Sequence, residues 1–266
     1  MNINSAKLIY FSPTRTTQKI ITGIVQGLHI QTVEHVDLTS PDQGKQDICE
    51  MHEELAVIGS PVYGGRLPMD MVSRLRRFKG NHTPAVIVVV YGNRAYEDAL
   101  LELRDIVLRL GFSPLAAGAF IGEHSYSNHA TPIAVGRPDA EDLIKAKEFG
   151  KKIHEKVSEI RGLGEVSLLQ VPGNFSYKEL QMLSNITPVT QQKDCTKCAE
   201  CMAVCPTAAI TVEDTVVTDR GLCIRCCACV KSCPTGARVM ADQRIRLVAE
   251  KLSVTCRERK EPEMYM

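Results

Sequence analysis

Two stretches of this chain repeat each other at a distance of 28 residues, and both are built around cysteine: CTKCAECMAVCPTAAI from Cys195 and CIRCCACVKSCPTGAR from Cys223. A shift of 28 lays Cys195 on Cys223, Cys198 on Cys226, Cys201 on Cys229, Cys205 on Cys233 and Pro206 on Pro234. Cys227 falls on Ala199, so alanine fills its slot in the sister copy and the thiol is not needed as a ligand. Nine of the eleven cysteines lie between Cys195 and Cys233, and Cys49 and Cys256 read as incidental thiols. The first residues, MNINSAKLIYF, carry no charged stretch leading into a long apolar run. That points away from export, and so away from a disulfide framework. Dense cysteine in a reducing compartment points to metal.

Each copy reads C-x2-C-x2-C-x3-C-P, a spacing suited to a 4Fe–4S cluster. Three cysteines three residues apart in a tight loop each reach a different iron corner. The fourth, beyond a short helical turn, reaches away to a second cluster. Crossed in this way, Cys195, Cys198, Cys201 and Cys233 hold one cluster, and Cys223, Cys226, Cys229 and Cys205 hold the other. Zinc modules present paired hooks across a longer gap, not tandem quartets each closed by proline. Ala199, Ala203, Ala208 and Gly236 leave room for bulky inorganic cores. Between the quartets, AITVEDTVVTD reads as a short hairpin turning at Glu213 and Asp214. Residues 190–240 resemble the two-cluster bacterial ferredoxins, which implies a small α+β domain with two 4Fe–4S clusters.

Ahead of this segment, residues 1–161 alternate between strand and helix patterns. KLIYF (Lys7–Phe11), TVEHVDL (Thr32–Leu38), ELAVIGSP (Glu54–Pro61), AVIVVVY (Ala85–Tyr91) and LAAGAFIG (Leu115–Gly122) read as five strands. Helices are expected from near Thr16, after Pro68, and across Leu100–Leu110. A charged one runs over 138–160, with Leu143, Ile153, Val157 and Ile160 inward. Five strands separated by helices imply a doubly wound parallel sheet. Residues 162–189 read as a connector, 190–241 as the cysteine domain, and 242–266 as a charged tail with one marginal helix through Ile245, Leu247, Val248 and Leu252.

Ligands of such sheets sit beyond the carboxyl ends of the strands. The first loop there, SPTRTTQK (Ser12–Lys19), offers Ser12, Thr14, Thr16 and Thr17 at a helix start, where free amides and the dipole favour phosphate. It has neither the glycine and lysine pattern of a nucleoside-triphosphate loop nor G-x-G-x-x-G. GSPVYGGRLP (Gly59–Pro68) and YGNRAYEDAL (Tyr91–Leu100) end two further strands. They bring glycines for close approach to a flat ring and Tyr63, Tyr91 and Tyr96 to stack on it.

With these loops, and with GAFIGEHSYS and VPGN further on, the chain resembles the flavodoxin–ferredoxin fusion proteins of anaerobic prokaryotes. The resemblance implies a flavodoxin-like five-stranded sheet that binds FMN. The phosphate would lie on Ser12, Thr14, Arg15, Thr16 and Thr17. The ring would lie between Pro61, Val62, Tyr63, Gly64 and Gly65 on one side and Tyr91, Gly92, Asn93, Arg94 and Tyr96 on the other. Arg15 stands where the family pattern has glycine, which would cost about 1 kcal/mol at positive φ. The chain has no tryptophan, so a sandwich of tryptophan and tyrosine is excluded. His124 and Tyr126 read as a polar loop within reach of the crevice. Arg66, Arg74, Arg76, Arg77 and Lys79 read as a solvated basic face.

A net charge of +1 and a pI near 7.5 give no footprint for nucleic acid, and no apolar run is long enough for a membrane span. The expected function is cytoplasmic electron transfer between FMN and two 4Fe–4S clusters, to or from a redox partner protein, with no catalytic acid or base. The alternative is an FMN-dependent reductase of a small substrate fed by the clusters, with Tyr96, His124 and Tyr126 as contacts. More remote is a non-redox scaffold binding zinc and phosphate. The oligomeric state stays open, a homo-oligomer included.

Overall fold

The alternation of apolar runs and amphipathic stretches is realised from Ser5 onward in the computed structural model, which describes residues 3–42, 47–51, 54–160, 167–180 and 185–266. Strand β1 (Ser5–Tyr10) leads into α1 (Thr16–Gly27), followed by β2 (Thr32–Asp37) and a short β3 (Cys49–Met51). Next come β4 (Leu55–Pro61), α2 (Met69–Leu75), a short β5 (Phe78–Gly80), β6 (Thr83–Tyr91), α3 (Ala99–Arg109), β7 (Phe112–Ile121) and α4 (Ala140–Glu159). β3 and β5 pair with each other in a separate parallel ribbon.

The parallel strands lie in the order β7-β6-β4-β1-β2. Numbered among themselves they read 2-1-3-4-5 from the β2 side, the doubly wound order of flavodoxin. The fold class expected for the first domain is thus present, with all five strands near their expected places. β4 and β6 are buried along their whole length. On β6, Ala85, Ile87, Val89 and Tyr91 face the core under α2 and α3, while Val86, Val88 and Val90 face the core under α1 and α4. Burial on both faces explains why these strands read as continuous apolar runs rather than alternating ones.

Helix α4 buries Ile153 and Val157 of its expected face, and Ile160 packs against the same core. Leu143 is 36% exposed at the edge of the buried stripe, which runs through Ala146, Phe149, Gly150, Ile153 and Val157. Along this stripe α1 and α4 cross closely. A Cβ at Gly150 would stand 1.9 Å from the Ile24 carbonyl oxygen, and one at Gly27 would stand 2.0 Å from that of Lys147. Gly150→Ala must therefore push two helices apart, and we expect a loss of about 1–3 kcal/mol in urea denaturation. An unchanged midpoint would show that the crossing has slack.

The cysteine segment is built from β8 (Val189–Thr190), α5 (Glu200–Ala203), β9 (Ile210–Val212), β10 (Val216–Thr218), α6 (Ala228–Lys231) and β11 (Arg238–Val239). β9 and β10 form the expected antiparallel hairpin, and β8 pairs antiparallel with β11. The 28-residue repeat extends to the backbone. Lys197 and Arg225 take φ of 55° and 57°, Ala199 and Cys227 take 61° and 58°, and Ala208 and Gly236 take 52° and 68°. Ala199 and Cys227 each start one of the four-residue helices from a left-handed conformation, so the spare cysteine is a structural equivalent of alanine.

The last residues depart from the expected charged tail. The helix exists as α7 (Gln243–Thr255), with Ile245, Ala249 and Leu252 buried, whereas Leu247 and Val248 are exposed. Beyond it, β12 (Glu263–Tyr265) pairs antiparallel with β7 and becomes a sixth strand of the main sheet. Only three residues pair, too few to leave a readable alternation in so charged a sequence. In the connector, residues 167–180 and 185–188 contain no helix, and the rest of that expected segment, 162–166 and 181–184, lies outside the described residues. Among the described residues no helix is long and apolar enough to cross a membrane.

Candidate functional site

The order of the sheet places its switch point between β1 and β4, where chains leave in opposite directions and open a crevice. The loop after β1 enters α1 there. Arg15 caps that helix with φ 62°, the left-handed conformation expected of a glycine position, and its side chain is exposed. The loop is held from within. The Ser12 amide donates to Thr39 Oγ1 at 2.8 Å, Ser12 Oγ accepts from the Gln18 amide at 3.1 Å, and the Arg15 amide donates to the Ser12 carbonyl at 3.0 Å. Thr17 is fully buried, and its Oγ1 has no hydrogen-bond partner among the described residues. A buried hydroxyl without a partner is costly. At the first turn of a helix it fits an anion such as the FMN phosphate.

After β4 the chain folds back on itself at Tyr63 and Arg66, whose amides and carbonyls exchange bonds of 2.9 and 3.2 Å. Gly64 and Gly65 take φ of 63° and 91° between them, the demand of a type I′ turn. Pro61 is buried and Val62 half-buried behind this turn. Arg66, expected on a solvated face, forms a bidentate pair with Glu102 (2.8 Å twice) and lies over the Tyr177 ring.

The loop after β6 is arranged differently from a stacking wall. Tyr91 and Tyr96 are 4% and 8% exposed, belong to the core under α3, and pack on one another with ring centroids 5.4 Å apart. The Tyr96 hydroxyl is bonded to Glu263 (2.7 Å) and Tyr265 (2.9 Å) of β12. Asn93 donates to the carbonyls of Cys256 and Glu258, and Arg94 pairs with Glu97. Gly92 lies beneath His124, whose ring a Cβ would meet at 2.3 Å. Of the three tyrosines, Tyr63 alone is left half-buried at the crevice.

Tyr63 looks toward the cysteines. Burial raises its hydroxyl well above the ordinary value, and Cys226, Cys227 and Tyr126 are the next influences on it. Burial likewise pushes Tyr126 up to about 12, with Cys227 next. His124 packs on Tyr126 (centroids 5.2 Å) and accepts the Tyr126 amide at Nδ1; burial, Arg94 and Lys231 push it down to about 4, so it is neutral near pH 7. The polar loop after β7 is therefore the contact between the two parts of the chain, a role its sequence did not announce.

Two cations fasten that contact. Lys231 pairs with Glu123 and donates to the Ser127 carbonyl (2.7 Å). Arg74 is 7% exposed and donates to three carbonyls, those of Leu38 (2.8 Å), Thr39 (2.9 Å) and Pro206 (2.6 Å). The expected solvated basic face thus contributes an internal tie, because backbone oxygens stripped of water need a strong donor.

Cys205, Cys223, Cys226 and Cys229 line one small pocket, together with Cys227, Pro206 and Ile224. Cys205 comes from the first copy, and Cys223, Cys226, Cys227 and Cys229 come from the second. Burial raises the Cys223 and Cys229 thiols and pushes Cys226 up to about 12, so bare thiolates are disfavoured here unless a cation compensates their charge. Among the described residues no three metal-binding side chains converge closely enough for a single ion. Cys201 is buried beside Cys229, Ile210 and Val216 with Cys195 against the same cluster, while Cys198 is exposed. Several amides point at Cys233, among them those of Thr235, Ala237 and Arg238, and they hold its thiol below the ordinary value.

The fold and the cysteines define a flavodoxin-like α/β domain joined to a dicluster segment. Residues 187–234 match the model of a 4Fe-4S dicluster domain. The two parts fit a flavodoxin–ferredoxin fusion. No curated protein matches the chain. Among solved structures, a flavodoxin from the domain Archaea shares 14% identity over 58% of this chain and 99% of its own, with a TM-score of 0.37. The Fusobacterium nucleatum flavodoxin bound to flavin mononucleotide shares 17% over 59% and 96%, with a TM-score of 0.36. The rubredoxin oxygen:oxidoreductase of the anaerobe Desulfovibrio gigas shares 13% over 58% of this chain but only 36% of its own, with a TM-score of 0.42. At these scores the architecture rests on the strand order described above.

Proposed function

We propose that the chain is an electron-transfer flavoprotein that passes electrons between FMN and two 4Fe–4S clusters, to or from a redox partner protein. The observation that carries this reading is the cavity shared by Cys205, Cys223, Cys226 and Cys229, which adjoins Tyr63 and Tyr126 at the carboxyl ends of the strands. FMN would place its phosphate on Ser12, Thr14, Arg15, Thr16 and Thr17 and its ring against the turn at Pro61–Gly65. Arg94 stands at the opposite edge, while Gly92 beneath His124, the buried Asn93, Tyr91 and Tyr96 support it from behind.

A flavin exchanges one or two electrons and a cluster exchanges one, so the pair connects carriers of different stoichiometry. The protein's part is placement: Arg74 and Lys231 hold the Cys223–Cys229 quartet against the crevice, and Tyr63, His124 and Tyr126 exclude water between them. The quartet of Cys195, Cys198, Cys201 and Cys233 is the more exposed, with Cys198 at the surface. It is the side from which a partner protein would exchange electrons.

Anaerobic purification followed by an absorption spectrum and flavin, iron and sulfide assays tests the proposal. One flavin and two clusters per chain are expected; zinc without iron or flavin ends it. Thr17→Val refines the test. Removing an unpartnered buried hydroxyl should leave the apoprotein at least as stable, while FMN binding weakens about tenfold or more, the effect of one hydrogen bond to a charged group. Arg15→Gly should retain FMN, since it relieves the left-handed cap. Full FMN affinity in Thr17→Val would remove the phosphate from this hydroxyl, and complete flavin loss in Arg15→Gly would make the arginine a required ligand of the phosphate.

A further inference from the structure

The repeat makes the two quartets near-equivalent in backbone, and one buried side chain breaks that equivalence. Arg238 is 3% exposed, and its counterpart 28 residues earlier is Ile210, also 3% exposed. The Arg238 guanidinium donates through Nη1 to Thr190 Oγ1 (2.7 Å) and through Nη2 to Thr218 Oγ1 (2.9 Å) and Cys229 Sγ (3.6 Å). Thr190 and Thr218 are themselves 28 residues apart, so the cation is seated across the pseudo-symmetric pair. No carboxylate among the described residues forms an ion pair with it, and its Nε is buried without a hydrogen-bond partner. A guanidinium keeps its proton under all ordinary conditions. Buried in this way it is stable only beside negative charge. Its nearest sulfur is that of Cys229, in the inner quartet; among the described residues no side-chain hydrogen bond joins the guanidinium to Cys201 of the other quartet.

We propose that Arg238 sets the redox asymmetry of the two clusters, an inference that rests on the electron-transfer reading above. Reduction adds one electron to a cluster and neither forms nor breaks a bond. The fixed charge and N–H donors of Arg238 favour that added negative charge at the cluster of Cys205, Cys223, Cys226 and Cys229. The potential of this cluster is thereby held above that of the other quartet, where the equivalent position is the apolar Ile210. Arg238 acts through sulfur and is a positioning residue rather than a ligand. With it in place, an electron rests preferentially on the cluster adjoining the flavin crevice.

The test is a potentiometric titration of the intact holoprotein followed by electron paramagnetic resonance, in wild type, Arg238→Lys, Arg238→Gln and Arg238→Ile. The wild type should show two separated one-electron waves. Arg238→Ile should lower the upper wave by about 59 mV or more, a tenfold change in a one-electron equilibrium. Arg238→Gln, which keeps donors without charge, should lower it by less, and Arg238→Lys should hold it near wild type. A purely structural role would reduce cluster content without moving the potential of the clusters that remain. If Arg238→Ile does not assemble, Lys against Gln decides: equal upper potentials in those two overturn the proposal. Waves unmoved in fully loaded Arg238→Ile also overturn it and leave the electron-transfer reading standing. A wild type without iron would end both.

Discussion

Replacing Cys205 with alanine should remove one cluster outright, leaving the other cluster and the flavin in place, so that iron and sulfide fall by about half. Cys205 precedes Cys223 by 18 residues, with a hairpin between, yet it lines the cavity of Cys223, Cys226 and Cys229. If the quartets are crossed, Cys205→Ala and Cys229→Ala abolish the same resonance signal and Cys201→Ala abolishes the other. Uncrossed ligation would pair Cys205→Ala with Cys201→Ala, which would refute the grouping. Cys227→Ala is the control. Its residue lies in the cavity wall but takes the backbone place of Ala199, and full iron content is expected. Loss of a cluster from Cys227→Ala would make the fifth cysteine a ligand.

The second large effect is on stability. Arg137 donates twice to Asp142, and both side chains are buried, 5% and 0% exposed. Asp142 also closes the capping box at the start of α4 with Asp139, and Arg137 reaches on to the Lys260 carbonyl at 2.8 Å. Arg137→Met would strand a buried carboxylate, and breaking such a pair costs about 3–5 kcal/mol. The expected result is a lower denaturation midpoint together with faster proteolysis beyond Lys260. Adding Asp142→Asn should recover part of the loss, since the uncompensated charge is then gone. A single variant within about 1 kcal/mol of wild type would show that Arg259, which also approaches Asp142, already suffices.

Much of this was legible because it is local. The inner parallel strands announced themselves as apolar runs, since a strand buried on both faces needs no partner to be recognised, and the exposed edge strand β2 announced itself by alternation. The cysteine repeat fixed its own register, and the left-handed residues of the short helices recur at the same spacing of 28. Arg15 was marked by the glycine pattern it interrupts, and its positive φ follows. What escaped was set by contacts between distant residues. Tyr96 reads as a loop tyrosine until Glu263 and Tyr265 are seen to claim its hydroxyl from 167 and 169 residues away. Arg74 reads as a surface charge until the Pro206 carbonyl is brought to it.

The sixth strand has a consequence for motion. The chain leaves the main sheet through α4, builds the whole cysteine segment, and then returns through α7 to lie as β12 against β7. The iron–sulfur segment is therefore an insertion anchored at both ends, like the span of a bridge rather than a bead on a string. Cutting a single tether would not release it. On the proposed function, electron exchange between its inner quartet and the crevice would run across a fixed gap, at a rate as indifferent to solvent viscosity as a contact within one domain.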